Sequence, residues 1–190
     1  LSKTLGLKSY LDEKQFPKLG LRYFYGDSSQ PFENRPELGP SMFSPVPTYQ
    51  LDRGTLETDL REMVLKTGIK LLEGASLKEI SIADGNKPNQ VSYIHKEEEA
   101  TLSANWVVDA MGRRRFLQTK LGLKEESPHS ASSVWFRFEG KVTVDDFVSG
   151  ENTTWHNRNI EDRFYSTNHL MGLGYWVWLI PLSSGNTSIG

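Results

Sequence analysis

The run Val107-Val108-Asp109-Ala110-Met111-Gly112-Arg113 joins branched apolar residues to a small-residue turn that carries a carboxylate and a guanidinium. In an open α/β sheet, ligands sit outside the carboxyl ends of the strands. There Gly112 would let backbone approach a phosphate or cofactor closely, and Asp109 could orient water or a ligand hydroxyl. The same residues also make an ordinary strand-to-helix turn capped by Asp109, and both readings stay open. Arg53 stands at the head of an amphipathic segment, where its guanidinium could pair bidentately with an anionic cofactor or simply face solvent. The triplet Arg113–Arg115 has the same two readings. Trp176 and Trp178 alternate with Val177 and Leu179, so in a strand both indoles face one side, to fill a core or to line a site.

Other combinations carry less. His95, His129, His156 and His169 lack metal-ligand spacing and read as surface or hydrogen-bonding histidines. Gly172-Leu173-Gly174 precedes a strand and has no third glycine, whereas a pyrophosphate loop opens a helix. Nothing resembles a Gly-x-Ser-x-Gly nucleophile turn.

Several elements must position these residues. Residues 1–15 pattern as a short amphipathic helix, and 16–26 as a strand with Leu21, Tyr23 and Tyr25 on one side. Residues 27–48 hold five prolines and read as a long irregular loop. Asp52 is an N-cap candidate for a helix whose apolar stripe is Leu56, Leu60, Met63 and Val64, with Glu57–Arg61 and Glu62–Lys66 as i,i+4 pairs. Gly68 would stop it, and a strand over Ile69–Leu72 would follow. Strands over 77–82, 91–95 and 100–103 suggest a β-meander, and 106–108 a buried strand leading to a short basic helix that ends at Gly122. Residues 133–147 read as strand-rich, 149–169 as polar loop with one short element, and 175–190 as a hairpin turning at Ser183-Ser184-Gly185-Asn186.

Composition bounds the class. The 190 residues are 37% hydrophobic and 11% aromatic, and the clustered aromatics argue for ordered structure. A net charge of -2 gives no general attraction to nucleic acid or anionic membrane, which leaves a small molecule or a protein as partner. With no cysteine, the chain can form no disulfide, thiolate metal site or thiol nucleophile, and the composition fits a reducing compartment. No apolar run approaches the roughly 20 residues that span a bilayer, so a soluble cytoplasmic protein is expected. Neither end tapers into polar sequence, and the chain is expected to be a piece of a longer protein.

Taken in order, these pieces resemble a family. Tyr49-Gln50-Leu51-Asp52-Arg53, the amphipathic helix, Gly68 and Glu73-Gly74 look like the middle of FAD monooxygenases of the p-hydroxybenzoate-hydroxylase type. Asp109-Ala110-Met111-Gly112-Arg113 is similar to their second FAD motif, with Met111 as a departure. Trp176-Val177-Trp178-Leu179-Ile180-Pro181 matches the Trp-x-Trp-x-Ile-Pro signature of flavin-dependent halogenases, the tryptophan halogenase family.

The resemblance implies an α+β fold: part of an FAD-binding α/β domain over residues 1–125 and part of a β-rich substrate domain over 126–190. The chain contains neither the Gly-x-Gly-x-x-Gly loop nor the later Gly-Asp motif, so by itself it is expected to bind FAD weakly or not at all and to be inactive. In the family, reduced FAD from a separate reductase reacts with oxygen, halide becomes hypohalous acid, and a lysine delivers the halogen to an electron-rich aromatic substrate. Phe16-Pro17-Lys18-Leu19-Gly20 is similar to the Phe-x-x-Lys-x-Gly segment of phenolic and pyrrolic halogenases, one residue shorter, and makes Lys18 the candidate lysine. The resemblance also makes Trp176 and Trp178 catalytic-site residues that keep substrate from the flavin, and Arg53, Asp109 and Gly112 cofactor contacts. Two alternatives remain: an FAD-dependent monooxygenase, dehydrogenase or reductase of the same fold without halogenation, and a non-catalytic β-rich binding module.

Overall fold

In chain order the computed structural model, which describes residues 1–159 and 161–190, runs α1 (Lys8–Lys14), β1 (Phe16–Pro17), β2 (Gly20–Tyr25), β3 (Glu37–Leu38), β4 (Tyr49–Gln50), α2 (Arg53–Lys66), β5 (Ser76–Ser81), β6 (Asn89–His95), β7 (Glu98–Ala104), α3 (Phe116–Lys120), β8 (Phe136–Glu139), α4 (Thr153–His156), β9 (Ser166–Gly172), β10 (Tyr175–Pro181) and β11 (Asn186–Ile189). The architecture is α+β. Two compact units emerge, one from residues 1–61 with 132–190 and the other from residues 62–131. One sheet of the first unit takes strands from both of its chain segments.

That sheet has six strands in the order β3-β2-β9-β10-β11-β8. β2 and β9 pair in parallel, from Gly20 opposite Ser166 to Tyr25 opposite Met171; the other neighbours are antiparallel. Strand alternation gives it two chemically distinct faces. One carries Arg22, Phe24, Asn168, Leu179 and Thr187, all buried. The other carries Tyr23, His169, Trp178 and Ser188.

The buried face meets an aromatic core of Phe24, Val144, Val148 and Trp155, with Phe32 and Leu170 packed against it. Trp155 is fully buried, and its Nε1 donates to Asp145 Oδ1 at 3.1 Å. Beside it lies a buried ionic network. Arg163 donates to Glu37 through Nε at 2.8 Å and Nη2 at 3.0 Å, Asn159 donates to the same carboxylate at 2.8 Å, and Arg22 completes the set.

Residues 149–169, read as polar loop with one short element, do hold the short helix α4, but the loop reading fails at their end. α4 contributes the core tryptophan, and residues from Ser166 onward form a central strand. Ser166, Thr167 and Asn168 look like loop residues in sequence, but their side chains find partners inside: Ser166 Oγ accepts from Arg22, Thr167 Oγ1 donates to Gln50 at 3.1 Å, and Asn168 Nδ2 donates to the Arg163 carbonyl at 3.0 Å, while Asn168 Oδ1 is left without one. A polar strand survives burial when most of its groups are bonded.

The second unit is built on the expected meander, β5-β6-β7, all antiparallel. The turn from β6 to β7 places Lys96 and Glu97 at φ 53° and 68°, the left-handed pair of a two-residue hairpin. Two expected strands are not formed. Residues 69–72 carry no ladder, and Trp106 and Val108 are 89% and 88% exposed in extended but unpaired chain. Apolar run and β-branching alone do not make a strand, because each backbone N–H and C=O needs a neighbour; among the described residues none pairs with these segments. The strand expected across 133–147 is likewise confined to β8, after which Thr143 caps a short 3-10 turn. Other sequence signals hold: the Gly54 N–H donates to Asp52 Oδ1 at 3.1 Å at the head of α2, and Gly68 leaves its end at φ 81°. Among the described residues no helix is long and apolar enough to cross a membrane.

Candidate functional site

On the sheet face away from the aromatic core, register aligns Tyr23, His169 and Trp178 on three adjacent strands. The Tyr23 and His169 rings stack with centroids 4.9 Å apart and planes 20° from parallel. Beyond Trp178 the row reaches Gly190, whose backbone exchanges hydrogen bonds with Trp178 at 2.8 and 3.3 Å. A Cβ at Gly190 would stand 2.4 Å from Trp178 Cζ2 and 2.6 Å from Trp135 Cβ, so the absence of a side chain there is what lets the indole lie down. Trp178 Nε1 donates to Ser188 Oγ at 3.3 Å, which fixes the ring's rotation. Gly190→Ala is therefore expected to displace the Trp178 indole, at a cost of about 1–3 kcal/mol typical of overpacking. Tryptophan fluorescence and a urea titration check it; an unchanged emission maximum and midpoint would show that the contact is not constraining.

A cleft of about 590 Å³ opens beside this row, walled by Trp135, Trp178 and Ile180, with Arg53, Gly54 and Arg137 at the head of α2. Arg137, on β8 opposite Ser188, donates from Nη2 to Asp52 Oδ1 at 3.0 Å. Asp52 is fully buried. Burial works to raise its pKa, but Ser184, the Arg137 charge and the N–H groups of Gly54 and Thr55 outweigh it and hold the carboxyl below the ordinary range. Gly54 gives the guanidinium clearance, since a Cβ there would lie 3.3 Å from Arg137 Nη2. Arg53 reaches the same cleft but is 79% exposed, and its Nε donates to Glu57 at 2.7 Å. The Glu57 carboxylate also lines the cleft and offsets Arg53, so two indoles and the Arg137 cation are what would meet a planar aromatic ligand, the chemistry of a flavin ring.

Lys18 lies between β1 and β2. Its N–H donates to the Thr48 carbonyl at 2.8 Å, and Thr48 Oγ1 returns a bond to its carbonyl at 3.0 Å. The side chain is half-buried, and burial lowers its pKa. No carboxylate among the described residues pairs with its ammonium. Its charge is felt at His169, whose pKa is lowered first by burial and then by Lys18, against the carbonyls of Arg22 and Thr167. His169 Nδ1 is buried without a hydrogen bond of good geometry.

The structure thus brings Arg53 and Trp178 to one cleft and puts Lys18 within electrostatic reach of the same aromatic row. Trp176 shares the face of Trp178 but is 46% exposed and lies outside the cleft wall. Asp109 and Gly112 belong to the second unit. There Asp109 caps α3: Oδ1 accepts from the Met111 N–H at 3.0 Å and Oδ2 from the Leu117 N–H at 2.8 Å, and these bonds lower its pKa. Gly112 takes φ 57° with open space around it. Arg137 was not singled out by sequence reasoning, and His169 was read there as a surface or hydrogen-bonding histidine. The alternation of Trp135 with Arg137 was a usable signal, whereas nothing local to His169 indicated its stacking partner.

A family model, tryptophan halogenase, matches residues 28–190. The flavin-dependent halogenase chlA of Dictyostelium discoideum is 25% identical over 208 residues, covering 97% of this chain and 33% of that protein. The 1H-pyrrole-2-carbonyl (peptidyl-carrier protein) chlorinase of Pseudomonas fluorescens is 28% identical over 145 residues, covering 75% of this chain and 30% of that protein. Among solved structures, the flavin-dependent halogenase CmlS superimposes with a TM-score of 0.69 at 18% identity, over 99% of this chain and 32% of CmlS; at that identity the likeness speaks to the fold. The chain spans about a third of the length of the proteins it matches.

Proposed function

This chain belongs to the tryptophan halogenase family, and from that premise we propose that it is part of an FAD-dependent oxidoreductase that halogenates an electron-rich aromatic small molecule. The observation that carries the reading is the row Tyr23–His169–Trp178: Trp178 walls a cleft suited to a flat ring, and Lys18, half-buried and without a carboxylate partner among the described residues, acts electrostatically on His169. Bound in the cleft, reduced FAD with oxygen supplies the oxidising equivalents that turn halide into hypohalous acid. Arg53 and Trp178 are the residues that would hold the flavin in this cleft; Asp109 and Gly112, in the second unit, remain cofactor-contact candidates by their motif alone. Trp178, backed by Trp176, fills space that a bulky aromatic substrate would otherwise enter.

Lys18 then acts on the oxidant. Its amine hydrogen-bonds hypohalous acid, or exchanges a proton for the halogen and releases water, and the aromatic ring gives up a proton as it takes the halogen. A pKa lowered by burial keeps more of the amine neutral near neutral pH, which is the form with a lone pair. A separate reductase would supply reduced FAD, and the cysteine-free composition supports a cytoplasmic setting.

The test is a product assay on the intact flavoprotein containing this chain, with reduced FAD, oxygen, an electron-rich phenol, and bromide present or omitted. A product carrying the bromine isotope doublet is expected only with bromide. An identical product mass with and without bromide would replace this reading with a hydroxylase on the same scaffold.

A further inference from the structure

We infer that Arg137 is the residue that reads the ring end of the flavin: its guanidinium, aimed by buried Asp52 into a cleft walled by Trp135 and Trp178, takes the electron-rich N1–C2 carbonyl edge of the ring system and favours the reduced, anionic form. This rests on the reading that the intact protein binds flavin, and goes beyond it by assigning which part of the ligand lies in the cleft and which side chain holds it.

Three observations carry the assignment. The first is the shape and polarity of the cleft. Trp135, Trp178 and Ile180 give it flat indole and aliphatic walls that suit a ring, whereas a pyrophosphate seeks a run of free backbone N–H groups; at the head of α2 the Gly54 and Thr55 N–H groups already bond Asp52, and Glu57 adds a carboxylate to the rim. The second is the state of the two cations. Arg53 is largely solvated and already bonded to Glu57. Arg137 uses one N–H group on Asp52, and no other hydrogen-bond partner reaches it among the described residues, so donors in a fixed planar fork remain for a ligand. The third is how that fork is held. Asp52 is fully exposed to its partner and hidden from water, and Gly54 supplies the clearance the guanidinium needs. A pre-aimed cation in a partly desolvated site discriminates between charge states of a ligand more strongly than a solvated one.

The test measures binding of FAD, riboflavin and ADP to the intact protein and to Arg137→Met. Riboflavin has the ring without phosphate, and ADP has phosphates without the ring. The expected result is an affinity for FAD and riboflavin lowered about tenfold, the loss of one charged hydrogen bond, with ADP unchanged. Reduced FAD should lose a further tenfold, which lowers the two-electron midpoint potential of the bound flavin by about 30 mV. Arg137→Lys should recover the charge but not the fork, and so only part of the affinity. Because Arg137→Met leaves Asp52 buried without its partner, the double variant Asp52→Asn with Arg137→Met is measured alongside, since it removes both charges and keeps a capping side chain. Equal losses for ADP and riboflavin, losses confined to FAD and ADP, or no loss in either variant would each overturn the assignment. Absence of flavin binding by the unsubstituted protein would show first, and would overturn the functional reading and this inference together.

Discussion

Lys18→Ala is expected to leave flavin binding intact and to cut brominated product by roughly 10²- to 10⁴-fold, the range for loss of a positioned proton-transfer group. The physical ground is the state of the amine. Burial lowers its pKa, no carboxylate among the described residues draws it away, and its backbone is pinned on both sides by Thr48. Lys18→Arg separates two roles, since a guanidinium donates hydrogen bonds but stays charged at any working pH. If the lone pair is needed, arginine is as inactive as alanine; if hydrogen bonding suffices, part of the activity returns. The sign of the pH dependence follows from the same shift. The neutral amine accumulates as pH rises through the lowered lysine value, so in the lone-pair role the product-forming step accelerates earlier in pH than a solvated lysine would allow. Bromination at an unchanged rate in Lys18→Ala would remove this residue from the mechanism.

The second large effect is on stability. Glu37→Ala should destabilise the first unit by about 3–5 kcal/mol, the cost of leaving buried charge unpaired. Arg22 and Arg163 are 1% and 3% exposed; Arg22 pairs with Glu37 and, among the described residues, with no other carboxylate, whereas Arg163 keeps a second bond to Asp145 at 2.9 Å. Burial alone would raise the Glu37 pKa, but bonding and charge from Arg163, with Asn159 and Arg22, hold it below its ordinary value. A carboxyl whose folded pKa is lowered adds stability that is fully present above the unfolded value and is lost as pH falls through the folded one. The unsubstituted chain should therefore weaken as pH drops below the ordinary glutamate value of 4.5, and Glu37→Gln should lose part of that acid sensitivity. Urea midpoints across that range for both variants measure it; a Glu37→Ala midpoint equal to the unsubstituted one at neutral pH would show that the network does not hold the core.

Much of the local structure was legible because it rests on contacts within a few residues. The alternation of β10, the Asp52 cap and the Gly68 stop each depend on a single turn or pleat. Errors came where a segment depends on a distant neighbour. Residues 69–72 and 106–108 have the apolar content of strands but no ladder among the described residues. Ser166-Thr167-Asn168 has the composition of a loop, yet it lies in the middle of the sheet because Arg22, Gln50 and Arg163 satisfy it from elsewhere in the chain.

The candidate site divides the same way. Sequence alone determined the family signature Trp176-Val177-Trp178-Leu179-Ile180-Pro181 and the common face of its two indoles, since strand alternation follows from backbone geometry. It also singled out Arg53 and Lys18 by neighbouring residue pattern. Only the tertiary structure decided that Arg137 is fixed by Asp52, 85 residues away, that His169 stands between Tyr23 and Trp178, and that Lys18 has no acidic partner among the described residues. The first comes from β8 pairing with β11 beside the head of α2, and the second from β9 lying between β2 and β10. Burial and charge pairing belong to the space such pairings create, and no local window of sequence contains it.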